Sequence, residues 1–155
     1  MTPTRETVAE RLDEAAREFA ELEPRERLEL LLEYAESLPK LPARYQAERD
    51  AGEHRVHECQ TPVFLWVDVE GGKVQISADV APEAPTVKGF VALLADAFSG
   101  APAEEILAVE PTLIARLGLL ETLGMMRMRG LHAILHYILR QVAKATAAAR
   151  PNGGA

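Results

Sequence analysis

The sequence predicts an α+β fold, a single domain in which a small antiparallel β-sheet is packed by helices. Three observations carry that expectation. Apolar residues recur at three- and four-residue spacing up to Leu38 and again from Thr86 onward. Between these stretches stands a β-branched and aromatic run, Val63 to Glu70, followed by Gly71-Gly72 and an alternating segment. Two helices, a hairpin and then several helices is the order of an α+β domain. With 155 residues the chain is long enough for one domain with one core. The domain is expected over residues 1–149, with a disordered tail at 150–155.

Residues 4–21 are expected to be helical, because Val8, Leu12, Ala15, Phe19 and Leu22 form one stripe. Pro24 suits the first position of a second helix, whose apolar face is Leu28, Leu31, Leu32, Ala35 and Leu38. Pro39 ends it, since the residue before a proline is pushed out of the helical region. Residues 40–58 read as a charged connector, with an exposed loop from about Gln46 to His54. A short strand is possible around Arg55 to His57. The run Val63 to Glu70 is a strand, Gly71-Gly72 a two-residue hairpin turn, and Lys73 to Ala78 a half-buried return strand. From Thr86 the helical period returns through Val87, Phe90, Val91, Leu94 and Phe98, and Ser99-Gly100 closes that helix. Short helices are expected around Pro102 to Ala108 and Pro111 to Leu117. Gly124 marks a turn before a last helix from about Arg127 to Ala149.

The formal net charge is −7 and the pI about 5.2, which argues against binding nucleic acid or an anionic membrane. No apolar run reaches the roughly 18 residues a membrane span needs. Met1 to Glu14 contains no apolar signal region, so a cytoplasmic location is expected.

There is one cysteine, Cys59, so no internal disulfide can form, and one thiol alone cannot hold zinc or a cluster. It stands in His57-Glu58-Cys59-Gln60-Thr61-Pro62, a polar setting unlike that of a core cysteine. Pro62 withholds a ladder donor, which places Cys59 at a loop or strand end. His54 and His57 are the candidate bases, and in an extended segment His57 and Cys59 point to the same side. Cys59, His57, His54 and Asp79 match no zinc spacing. His132 and His136 are four apart on a helix but lack the glutamate of a H-E-x-x-H site. No phosphate-binding loop and no G-x-S-x-G elbow is present.

Four segments together resemble the SufE/CsdE family of sulfur acceptors. They are Ser37-Leu38-Pro39-Lys40-Leu41-Pro42, Val56 to Leu65 around the cysteine, Val87-Lys88-Gly89-Phe90, and Arg127-Met128-Arg129-Gly130-Leu131. The similarity runs from about Phe19 to Val142. Cys59 and Gln60 match the family's cysteine motif and Thr61 replaces its serine. Glu58 stands in the place of a glycine, Pro62 in that of a polar residue, Phe64 in that of a tryptophan, and His54 where the family usually has asparagine. A glycine at 58 would reach positive φ cheaply, and a glutamate would not.

The resemblance implies an α+β fold shared with IscU-type scaffolds, and an acceptor role rather than a scaffold role. It implies that Cys59 takes a persulfide sulfur from a cysteine desulfurase of the SufS kind and passes it to an iron–sulfur scaffold of the SufBCD kind. The chain itself then needs no cofactor, because the pyridoxal phosphate (PLP) belongs to the desulfurase. It further implies a cysteine loop shielded at rest, with Gln60 and Thr61 holding the loop and Asp79 and Arg127 close to the thiol. Two other readings stay open: a cysteine-nucleophile enzyme with His57 as base, and an adaptor that binds a desulfurase without carrying sulfur.

Overall fold

The computed structural model describes residues 6–149. The expected tail at 150–155 lies outside the described residues. Within them the fold is α+β, with eight helices and a two-stranded antiparallel sheet.

Helix α1 (Val8–Ala20) begins at Thr7, whose hydroxyl accepts the Glu10 N–H at 3.1 Å while the Glu10 carboxylate accepts the Thr7 N–H at 3.2 Å. This reciprocal cap fixes the start later than the apolar stripe alone suggested. Helix α2 (Pro24–Ser37) starts on Pro24 and stops before Pro39. Strands β1 (Val63–Glu70) and β2 (Lys73–Val80) pair from Val63 opposite Val80 to Glu70 opposite Lys73. The return strand thus runs two residues past the expected Ala78. Gly71 and Gly72 both take positive φ at the hairpin tip.

Helix α4 (Pro85–Phe98) is the central element, with Phe90, Leu94 and Phe98 at 0% exposure. It lies so close to α2 that a Cβ on Gly89 would stand 2.1 Å from the Leu31 carbonyl oxygen. Three short helices follow: α5 (Ala103–Leu107), α6 (Leu113–Arg116) and α7 (Leu120–Leu123). The last of them was not expected. Gly124 at φ 82° separates α7 from the long α8 (Met125–Ala149). One hydrophobic cluster spans α1 to α8 and includes the inner face of the sheet: Val63, Leu65, Val74, Ala78 and Val80.

Two sequence expectations are corrected. The stretch Gln46 to His54 is largely not a loop, because α3 (Ala43–Asp50) occupies most of it. No residue of α3 is buried, so its sequence shows no apolar stripe. Its attachments are aromatic and polar. Tyr45 stacks on Trp66 at 5.1 Å, the Trp66 indole N–H donates to Glu48 at 2.8 Å, and Arg49 pairs with Asp79 at 3.3 Å. The second correction concerns Arg55 to His57, which form no strand of their own. Arg55 makes one bridge to Phe64, and the chain then turns away through a hydrogen bond from Cys59 N–H to the Val56 carbonyl at 3.2 Å.

Candidate functional site

Cys59 sits on a short loop whose two ends are clamped to the hairpin. Before it, the Val56 N–H donates to the Val63 carbonyl at 2.9 Å, and the His54 carbonyl accepts from Leu65 N–H at 3.0 Å. After it, the Pro62 carbonyl accepts from Ala81 N–H at 3.1 Å. Val56 is fully buried and anchors the loop from below. His54 takes φ 64°, a left-handed conformation that asparagine and histidine tolerate better than most residues. Its ring stacks on Trp66 at 5.1 Å, which supports the unusual backbone. Glu58 is not at positive φ, so the absence of a glycine there imposes no backbone strain. Its carboxylate faces Arg140 of α8 at 3.5 Å.

The turn at Val56–Cys59 decides where the side chains go. His57 is exposed and makes no hydrogen bond or ion pair among the described residues. The extended segment that would have aligned it with the thiol is absent. Cys59 turns inward and is 5% exposed. Its sulfur faces α8 at Gly130, where a Cβ would lie 3.4 Å from Sγ. Burial pushes the Cys59 thiol above its ordinary pKa, against the opposing pull of a hydrogen bond from the Thr61 backbone and the positive charge of Arg55. Burial thus disfavours the thiolate while the loop is closed.

The thiol opens into a cavity of about 350 Å³. One wall is the loop, Glu58 to Thr61. The other is Val87 of α4 with Met126, Arg127, Arg129 and Gly130 of α8. The Arg127 guanidinium donates to the Thr86 hydroxyl at 3.2 Å and ties the two helices together at the rim. Met126 is 69% exposed beside it. The structure thus brings Cys59, Gln60, Thr61 and Arg127 around one cavity. Neither the Gln60 nor the Thr61 side chain makes a hydrogen bond among the described residues; the contact to sulfur comes from the Thr61 main chain.

Asp79 is elsewhere. It pairs with Arg49 and lines a separate cleft on the other side of the first turn of α4. His132 and His136 stack at 6.5 Å on the outer part of α8. No group of three or more His, Cys, Asp or Glu residues is arranged to hold a metal among the described residues.

The family model described as "SufE: Fe-S metabolism associated domain" matches residues 13–142. The chain belongs to the SufE family. Its relatives include SufE-like proteins of two Mycobacterium tuberculosis strains, each 37% identical over 135 residues, covering 86% of this chain and 92% of the relative. A SufE-like protein of Synechocystis is 32% identical over 112 residues, covering 72% of this chain and 67% of its own. A solution structure described as a hypothetical protein from Thermus thermophilus superposes with a TM-score of 0.76 at 41% identity, covering 88% of this chain and 96% of that one. Membership of the SufE family places the chain in iron–sulfur metabolism.

The SufE-like motifs acquire physical reasons in this fold. The glycine of Val87-Lys88-Gly89-Phe90 allows α4 to touch α2. The glycine of Arg127-Met128-Arg129-Gly130 leaves room beside the cysteine sulfur. Sequence reasoning named Arg127 but missed Arg129, Met126 and Gly130 as parts of the cavity. The recurrence of Gly130 four residues before Ile134 on the core side of α8 was the available signal. Among the described residues no helix is long and apolar enough to cross a membrane.

Proposed function

We propose that this SufE-family protein is a persulfide carrier, loaded at Cys59 by a cysteine desulfurase of the SufS kind. The observation that carries the reading is the setting of the sole cysteine: a shielded thiol opening into a cavity large enough for a partner's reacting sulfur, with arginines at its rim. In the transfer, the Cys59 thiolate attacks the terminal sulfur of the donor's persulfide. A new S–S bond forms on Cys59, the donor's S–S bond breaks, and the donor cysteine leaves as thiolate. The Cys59 proton goes to solvent or to the departing thiolate, and no net oxidation occurs. Rate then depends on thiolate fraction, leaving-group pKa and access.

Burial of the resting thiol supports a gated version of this step. A neutral, shielded Cys59 is a poor nucleophile toward free electrophiles. Docking that moves the loop outward raises both access and thiolate fraction, with Arg127 and Arg129 favouring the anion. The loaded sulfur passes on to an iron–sulfur scaffold of the SufBCD kind. The PLP chemistry that generates the persulfide belongs to the desulfurase. His57 stands exposed rather than aligned with the thiol, which supports the carrier reading over that of an enzyme with His57 as base.

The test is intact-protein mass spectrometry after incubation with the host's desulfurase, PLP and free cysteine. One or more sulfur atoms added at Cys59, absent without desulfurase and absent in Cys59→Ser, is the expected result. Binding to the desulfurase with no sulfur gained would replace the carrier reading with that of an adaptor.

A further inference from the structure

Charge is distributed unevenly over this acidic chain. Helix α8, which walls the Cys59 cavity, carries Arg127, Arg129, Arg140 and Lys144 and no Asp or Glu. On the other side of the first turn of α4 lies the second cleft, of about 270 Å³. Val87 faces the cysteine cavity and its neighbour Lys88 faces this cleft, so a single helical turn divides the two. Around the second cleft three cations, Lys40, Arg49 and Lys88, meet one carboxylate, Asp79. Arg49 is shared between Asp79 at 3.3 Å and Asp50 at 3.1 Å. The side chains of Lys40 and Lys88 hold no ion pair among the described residues.

The floor between these lysines includes Leu38, Leu41 and Val80. Pro39 and Pro42 bracket Lys40 and restrict the backbone that presents it. Two unpaired cations over a concave, partly apolar floor raise the local concentration of anionic groups, and they do so in a chain of net charge −7.

We infer that the Lys40–Lys88 cleft receives an acidic segment of the protein that loads Cys59, with a carboxylate side chain seated between the two lysines. This deepens the carrier reading and rests on it. The seat lies one helical turn from the cysteine cavity, so a donor anchored there is held in register with Cys59. Charge pairs of this kind set the association rate, its salt dependence and the register of docking more than the chemistry that follows.

The experiment compares the full-length wild type with the double variants Lys40→Glu/Lys88→Glu and Lys40→Gln/Lys88→Gln, using the host's desulfurase. Equilibrium binding and the carrier concentration giving half-maximal sulfur loading are measured at low and high NaCl. The rate of Cys59 alkylation by iodoacetamide, with no partner present, reports an intact fold and cysteine loop. For the charge reversal, the half-maximal concentration rises at least about tenfold at low salt, because like charges then face each other. The glutamine pair gives a smaller rise. Salt dependence weakens in the glutamine pair and weakens further or inverts in the charge reversal, where salt screens a repulsion, while in both the maximal loading rate is kept and alkylation is unchanged. Unchanged affinity and salt dependence in both variants would overturn the inference. If the wild type binds but gains no sulfur, the carrier reading falls, and the binding arm alone still decides whether the cleft is the docking seat. If the wild type does not bind, both fall.

Discussion

Replacing Gly89 with alanine tests whether the close approach of α2 and α4 sets the site's geometry. The new Cβ would stand 2.1 Å from the Leu31 carbonyl oxygen and 2.8 Å from its carbon. Ordinary contact begins near 3.4 Å, so the helices must part by about 1.3 Å. The obstacle is backbone, which cannot swing aside as a side chain does. Overpacking of this severity costs about 4 kcal/mol, at the upper end for a single substitution. Alanine's better helix propensity returns about 1 kcal/mol. The net loss is therefore about 3 kcal/mol. Urea unfolding followed by the fluorescence of Trp66, the only tryptophan and 2% exposed, measures it directly. With a slope of about 2 kcal/mol/M, the midpoint falls by about 1.5 M. A fall below about 0.5 M at unchanged slope would refute the reasoning, because it would show that α4 can leave α2 at little cost. Since Val87 and Lys88 ride on the same helix, a folded Gly89→Ala protein is also expected to load sulfur more slowly.

Three further outcomes follow from the cysteine loop. Burial raises the Cys59 pKa, so its thiolate fraction at neutral pH is smaller in the folded chain than in the unfolded one. The associated stability is present below the unfolded-state pKa and is lost as pH rises through the folded value. The iodoacetamide rate against pH should have its midpoint above that of the same chain in urea, and a midpoint at or below it would contradict the burial argument. Gly130→Ala adds a methyl 3.4 Å from the sulfur, a contact that fits, and gains up to about 1 kcal/mol of helix propensity. Its urea midpoint should hold or rise while Cys59 alkylation slows several-fold; an unchanged rate would show that reagents approach from another side. Glu58→Ala removes an ion pair whose side chains are 58% and 55% exposed, so it should alter stability by less than about 0.5 kcal/mol. A loss above about 1 kcal/mol in urea unfolding would mean that the loop depends on Arg140.

The hairpin and the central helix were legible in the sequence, because each rests on local chemistry. A β-branched run followed by Gly-Gly specifies a hairpin without help from distant residues, and a 3.6-residue stripe specifies a buried helix face. Helix α3 was invisible for the converse reason. Its attachments are Tyr45 on Trp66, Glu48 on the indole N–H and Arg49 on Asp79, and none of these leaves an apolar period.

The site divides in the same way. The sequence alone determined that one thiol would stand between a polar loop and a strand, with no second cysteine to pair with it. Only the tertiary structure decided that the thiol turns inward against Gly130, that His57 stays in solvent, and that Arg127 and Asp79 fall on opposite sides of one turn of α4. A hydrogen bond from Cys59 N–H to the Val56 carbonyl closes a turn in the loop where the sequence suggested an extended segment. Which residues meet across the resulting cavity depends on how α4 and α8 pack, and packing is a property of contacts far apart in the chain.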